Sequence, residues 1–370
     1  MWMPMLLVSN LIFGWTVDYD QAALQADLDA IRQAGAVSVQ AVVETGRGRL
    51  SAKSGTAVEG TLSPVPENAS FRIGSTTKPF VAAALLQAVA EGKLTLEDPV
   101  EKWLPGFLSP PFDGNAITVR MLLQHTSGID DYLRDLPVFG GTKQEFETNK
   151  LTSYTLDQLL ELGTAHPPLF APGTSWMYSN TNYVALGMIL ENVDGKEWAD
   201  SVKTRIIGPL GLMRTYAPAE ETGLNGPHAR AYQDFPPEFG VPVDATTLNP
   251  SMAGSSGEMV STPDDLMVFW QSLLGGKILA PAELAEMMTT VPIPAELGAP
   301  EGTEYGLGIF KMMASCGEEV WGHNGSIFGT YGTNGFTLDG SRGAILWMSQ
   351  VGDVSAPAGQ TLDNAICQTK

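Results

Sequence analysis

A serine three residues ahead of a lysine opens the chemistry of this 370-residue sequence. Ser75 and Lys78 lie in Gly74-Ser75-Thr76-Thr77-Lys78-Pro79, at the head of an Ala- and Leu-rich stretch that stops at Gly92. The pattern predicts a helix from Lys78 to Glu91. Positions i and i+3 share a helix face, so Lys78 comes beneath the Ser75 hydroxyl. A serine is a poor nucleophile until a base takes its proton. A lysine is such a base once burial or nearby cations depress its pKa. The alternative is an N-cap serine followed by a surface lysine. Against it, a lysine in a first helical turn opposes the positive end of the dipole, where a capping box would place Glu or Gln.

Two further clusters could complete a site. Tyr178-Ser179-Asn180 follows Pro172-Gly173 and precedes an apolar helix. A phenol beside an ammonium can shuttle protons. The Asn180 amide can bind both a lysine and a substrate carbonyl. The alternative is a turn in which Asn180 caps the next helix. His323-Asn324-Gly325, followed by Ser326, opens a set of C-terminal strands. Gly325 would let a substrate backbone come close to the strand. A backbone N–H just after it could stabilise an oxyanion. The alternative is a glycine-rich turn with a hydrogen-bonded histidine.

The composition narrows the partners. There are 41 acidic and 21 basic residues, for a net charge of −20. No basic block interrupts that acidity, so nucleic acid and anionic lipid are excluded as partners. Small-molecule or peptide chemistry is expected. The four histidines are far apart and there are two cysteines, with no His-Glu-x-x-His or Cys-x-x-Cys spacing, so neither a metal nor a cofactor is expected. No Gly-x-Ser-x-Gly elbow is present, which disfavours an α/β-hydrolase.

The elements that must position these residues follow from periodicity. Residues 18–33 place Leu24, Leu28 and Ile31 on one helical face, and 37–43 alternate as a strand. A second strand starts at Leu50, and Phe71 to Ile73 make a third. Helices are expected at 182–193, 264–274 and 359–367. Asp339-Gly340 between 335–338 and 344–350 reads as a hairpin. Strands at both ends around a helix-rich middle predict an α+β fold. One antiparallel sheet is built from both termini and flanked by helices, with a mostly helical lobe inserted. The division drawn is 18–74 with 260–370 for the sheet lobe and 75–259 for the helical lobe, the site lying at their junction. Residues 1–17 are apolar, and two readings fit: the core of an export signal, or a buried terminal segment. They are too short for a comfortable membrane span.

Taken in order, Ser-x-x-Lys, Tyr-x-Asn and His-x-Gly resemble the serine β-lactamase and DD-peptidase superfamily, in its class C-like branch. Class A enzymes carry Ser-Asp-Asn and Lys-Thr-Gly instead. Leu122-Leu123-Gln124-His125-Thr126-Ser127-Gly128 and Tyr305-Gly306-Leu307-Gly308 support the resemblance. The sequence is most similar to secreted actinobacterial-type D-alanyl-D-alanine carboxypeptidases. By that resemblance Ser75 is acylated, and Lys78 and Tyr178 share the base and acid roles. Asn180 orients Lys78 and the acyl amide. His323 helps place Tyr178 and the leaving group. The backbone N–H groups of Ser75 and Ser326 form the oxyanion hole. His125 is expected to be structural. The resemblance also implies a disulfide between Cys316 and Cys367 and work outside the cytoplasm.

There are departures from the family pattern. Phe310 stands where those carboxypeptidases have the arginine that binds a substrate carboxylate. Lys311, next along the strand, faces the other way. Asn324 replaces the usual threonine of the substrate-binding strand, and Met252 falls near an aromatic of the substrate cleft. The expectation is therefore a serine acyl hydrolase, first a DD-carboxypeptidase-like peptidase. Next come an esterase, D-amino acid amidase or acyltransferase, and then a class C-like β-lactamase. A silent penicillin- or peptidoglycan-binding module is the contrasting reading.

Overall fold

Leu24, Leu28 and Ile31 are fully buried along helix α1 (Gln21–Gln33), whose first turn is capped by the Asp20 carboxylate accepting from the N–H groups of Ala22 and Ala23. This computed structural model describes residues 19–368. The apolar segment at 1–17, with both of its readings, lies outside the described residues. Strands β1 (Ser38–Thr45) and β2 (Gly48–Gly55) form a hairpin. A short strand β3 (Phe71–Arg72) then leads into helix α2 (Thr77–Ala90). Helix α3 (Asn180–Asp194) follows after a stretch of loops and short helices. Next come β4 (Tyr232–Phe235), β5 (Glu238–Asp244), β6 (Val260–Ser261) and helix α4 (Pro263–Leu274). The remaining strands are β7 (Val291–Pro292), β8 (Glu304–Tyr305), β9 (Phe310–Met313), β10 (Glu319–Gly322), β11 (Gly325–Ile327), β12 (Thr330–Thr337) and β13 (Gly343–Ser349). Helix α5 (Ser355–Cys367) ends the described chain.

The main sheet runs β2-β1-β13-β12-β10-β9-β8-β7, with β11 paired to β12, and every pairing is antiparallel. β1 pairs with β13 from Val39↔Met348 to Glu44↔Gly343, so the two ends of the chain do share one sheet. Both faces are covered. Val39, Ala41 and Val43 join Leu346 and Met348 in a core with α1 and α5. Val42, Ile345 and Trp347 point the other way, into a core with α2 and α4. The period-2 alternation thus feeds two separate cores. Helix α2 has almost no polar face and is buried nearly throughout, as a helix enclosed by others must be. Phe80 on α2 stacks on Phe269 of α4 with ring centroids 3.7 Å apart.

Three strands depart from expectation. β3 stays out of the main sheet and pairs with β6 in a ribbon of its own. The buried Arg72 explains the placement, because its Nη2 donates to the carbonyl oxygens of Thr222, Thr246 and Leu248. A buried guanidinium must find such acceptors. The hairpin β4–β5 lies inside the stretch read as mostly helical, with Phe239 and Val241 exposed on it. Cys316, in the turn between β9 and β10, is bonded to Cys367 at the end of α5, with Cα atoms 5.7 Å apart. Among the described residues, no helix is long and apolar enough to cross a membrane.

Candidate active site

Ser75 sits in a 3₁₀ turn, Gly74–Thr76, that runs straight into α2. Gly74 has φ +51°, and a Cβ there would lie 2.6 Å from the Ser326 nitrogen. Across the gap, a Cβ on Gly325 would lie 1.9 Å from the Ile73 carbonyl oxygen. The two glycines therefore let the nucleophile turn and β11 press backbone to backbone. Gly325 thus admits the protein's own chain on this side. The contact sets Ser326 beside the Ser75 turn. Ser326 is itself exposed, and its hydroxyl donates to Gln350 Oε1 at 3.0 Å.

Lys78 is fully buried. Its Nζ lies 3.0 Å from Ser75 Oγ, 2.7 Å from Asn180 Oδ1 and 2.8 Å from the Ser256 carbonyl oxygen. Burial brings its pKa down to about 7, against the pull of the Asp131 carboxylate. The amine is thus poised to exchange a proton near neutrality. Burial drives the pKa of the Tyr178 phenol up, against the influence of the neighbouring Ser75 side chain, so it stays protonated. Lys78 Nζ also lies 4.9 Å from the Tyr178 ring centre. Ser75, Lys78, Tyr178 and Asn180 therefore meet as the motifs suggested. The candidate base is Lys78, since Tyr178 is held as the acid form.

His323 is held by two hydrogen-bond partners of its own. It is buried, its Nδ1–H donates to the Asn324 carbonyl at 2.5 Å, and its Nε2 accepts from the Tyr305 hydroxyl at 3.1 Å. Burial and the nearby Lys78 lower its pKa to about 3, so it is neutral. Its ring centre is 6.2 Å from that of Tyr178, and its polar partner is Tyr305. Asn324 is half-buried, its Oδ1 accepting from Thr333 Oγ1 at 2.7 Å, so it is tied into β12. Phe310 packs on both Tyr305 and His323, with centroids 4.6 and 4.9 Å away. Met252 is 1% exposed within the main core, its carbonyl accepting from the Tyr132 hydroxyl at 2.9 Å. Its side chain packs in that core.

Three partners carried no sequence mark. Asp131 accepts from both the backbone N–H and the Nδ2 of Asn180, at 3.2 and 2.8 Å. That fixes the amide so that its oxygen faces Lys78. Asp131 caps the short turn Tyr132–Asp135, and a capping aspartate looks the same whether or not it orients a catalytic amide. Ser256 contributes through a main-chain carbonyl, for which no side-chain type is diagnostic. Tyr305 lies in the Tyr-Gly-Leu-Gly segment, but nothing in that spacing marks its hydroxyl as the partner of His323.

Several known proteins are similar to this chain. Penicillin-binding protein 4* of Bacillus subtilis is 37% identical over 154 residues, 41% of this chain and 31% of its own length. Esterase EstB of Burkholderia gladioli is 35% identical over 206 residues, 52% of this chain and 51% of its own. The chain thus spans about a third to a half of these curated relatives. A crystal structure of a D-stereospecific amidohydrolase from Streptomyces sp. superposes with a TM-score of 0.86 at 38% identity, covering 95% of this chain and all of that one. The Beta-lactamase family model matches residues 22–366. With its serine–lysine pair at the head of α2 and its sheet made from both chain ends, the chain belongs to the β-lactamase family of serine hydrolases.

Proposed function

We propose that the chain hydrolyses acyl compounds through an ester formed on Ser75, and that its leaving groups are uncharged amines or alcohols. In the first step neutral Lys78 takes the hydroxyl proton as Ser75 Oγ bonds to the substrate carbonyl carbon. The oxyanion is held by the N–H groups of Ser75 and Ser326. Protonated Tyr178, beside Ser75, donates to the departing nitrogen or oxygen, and Lys78 returns the proton to the phenol. Water then attacks the ester with Lys78 again as base, and the acid leaves with Ser75 restored.

The observation that carries the leaving-group assignment is the absence of an unpaired cation around His323 among the described residues. His323 is neutral, Phe310, where the resemblance implies an arginine, packs on it, and Lys311 Nζ is engaged by Glu304 at 3.4 Å and Glu319 at 3.5 Å. A free carboxylate binds best to a bidentate arginine, and a site without one loses that discrimination. The likeness to a D-stereospecific amidohydrolase supports D-amino acid amides or esters as the substrate class. A DD-carboxypeptidase is the second reading, favoured by the likeness to a penicillin-binding protein. Function outside the cytoplasm goes with either.

The test compares kcat/KM for a D-Ala-D-Ala peptide and its C-terminal amide, with Ser75→Ala as control. Discrimination below about tenfold is expected. A preference of about a hundredfold or more for the acid would overturn the leaving-group assignment and establish the carboxypeptidase reading. Absence of turnover and of labelling by a fluorescent penicillin would point to the silent binding module.

A further inference from the structure

His125 is a fully buried histidine that the proposed reaction does not use. Its backbone has φ +62°, in the left-handed region that a residue with a bulky side chain enters only when its surroundings hold it there. What holds it is the segment carrying Tyr178. The His125 carbonyl accepts from the Met177 N–H at 3.1 Å. Its Nδ1 accepts from the Ser179 N–H at 3.3 Å and lies 3.1 Å from Asn182 Nδ2. One residue thus grips the main chain on both sides of Tyr178. Its ring also lies against the Tyr178 ring, with centroids 4.3 Å apart and planes 36° apart.

These contacts fix the protonation of the ring. Nδ1 accepts from two N–H donors, so it carries no proton, and the neutral ring has its proton on Nε2. His125 Nε2 is buried without a hydrogen-bond partner among the described residues. Leaving a buried donor unpaired is unfavourable, and the fold tolerates it here. The groups facing the imidazole are Lys78, His323 and the phenols of Tyr178, Tyr183 and Tyr305. Burial, then Lys78, then His323 oppose a positive charge there, so the ring stays neutral.

We propose that His125 is a positioning residue for Tyr178: its carbonyl, Nδ1 and ring clamp the main chain and phenol so that the hydroxyl meets Ser75. This rests on the role given to Tyr178 above. Protonation would turn Nδ1 into a donor facing two donors and release the grip, so the clamp works in the neutral Nε2–H form.

Two substitutions separate the parts of the clamp. His125→Phe keeps a ring against Tyr178 and removes the acceptor. His125→Asn keeps an acceptor and suits the left-handed backbone, but removes the ring. With D-alaninamide, whose nitrogen must be protonated to leave, each is expected to lower kcat about 30-fold, a typical effect of misplacing a reacting group, with KM within about threefold. In a Tyr178→Phe background the same changes are expected to cost less than about threefold, because the group they position is gone. Losses that multiply in full in the double variants would overturn the proposal. Wild-type turnover that vanishes in Ser75→Ala tests the acyl-hydrolase reading separately. The clamp has its own readout in ¹⁵N-histidine spectra of the wild-type protein, with His125 assigned from His125→Asn. Nδ1 is expected bare and Nε2 protonated from pH 5 to 9. A ring that takes up a proton near pH 6.5, or carries its proton on Nδ1, would overturn the clamp whether or not the ester is turned over.

Discussion

Lys78 has the environment a lysine base requires. It keeps three acceptors around its nitrogen, yet burial has lowered its pKa to about 7. The neutral amine is the active form, so kcat/KM is expected to rise with pH through about 7 and then level off. A rise centred near the ordinary lysine value of 10.5 would show that Lys78 is not the base. Ser75→Ala and Lys78→Ala should each abolish turnover, since nucleophile and base act as a unit. Lys78→Arg should be as inactive, because a guanidinium cannot give up its proton in this range. Near-normal activity in either lysine variant would remove Lys78 from the mechanism. The serine and lysine were legible in the sequence because helical spacing alone puts them together. Asp131 and the Ser256 carbonyl were not, because they arrive from distant loops through contacts that any aspartate or any backbone could make. His323 was read as an aid to Tyr178. Its neutral, doubly hydrogen-bonded state depends on Tyr305, which only the folded sheet brings to it.

Among the elements, the close approach of β11 to the nucleophile turn is the feature with the least room for change. Gly325→Ala would drive a methyl group into the Ile73 carbonyl, 1.9 Å away. The strand must retreat, carrying the Ser326 N–H with it. A loss of about 100-fold or more in kcat is expected from a displaced oxyanion donor. Gly359→Ala on α5 is the matching control, since nothing lies within 4 Å of its Cβ position. It should leave activity intact and raise stability by up to about 1 kcal/mol. Comparable activity in the two variants would dismiss the close-approach argument. Long periodic elements such as α1, β1 and α3 were readable from the chain, their ends shifting by a few residues. The short ones were not. β3 leaves the main sheet because buried Arg72 follows distant carbonyls, and β4–β5 pairs where loop-like composition hid two strands. Both outcomes come from tertiary contacts that override local pattern.

At the scale of the molecule, the Cys316–Cys367 bond ties the β9–β10 turn to the last helix, and β10 leads directly to His323. The bridge spans 51 residues of sequence, which in the chain-entropy model is worth about 4 kcal/mol. Reduction should therefore lower the melting temperature by about 5 °C for a chain of this size. Unchanged melting with two free thiols in denaturant would show that the native protein does without the bond. The overall architecture, strands from both ends around a helical middle, was visible in the order of the strand and helix patterns alone. The sharing of alternate residues between two cores was not, because period-2 alternation does not say what covers each face.

The pairing of β1 with β13 also sets a timetable for synthesis. Val39 meets Met348, so β1 waits for about 300 more residues to be made before it gains its second neighbour. Until then the apolar face of β1 has no complete core to enter, and such long-range closure folds slowly. A nascent chain stalled just after Arg342 should be cut readily by protease throughout 38–55. One extended beyond α5 should resist cleavage there. Early resistance at 38–55 in the stalled chain would mean that the β1–β2 hairpin and α1 form a stable unit before the sheet closes.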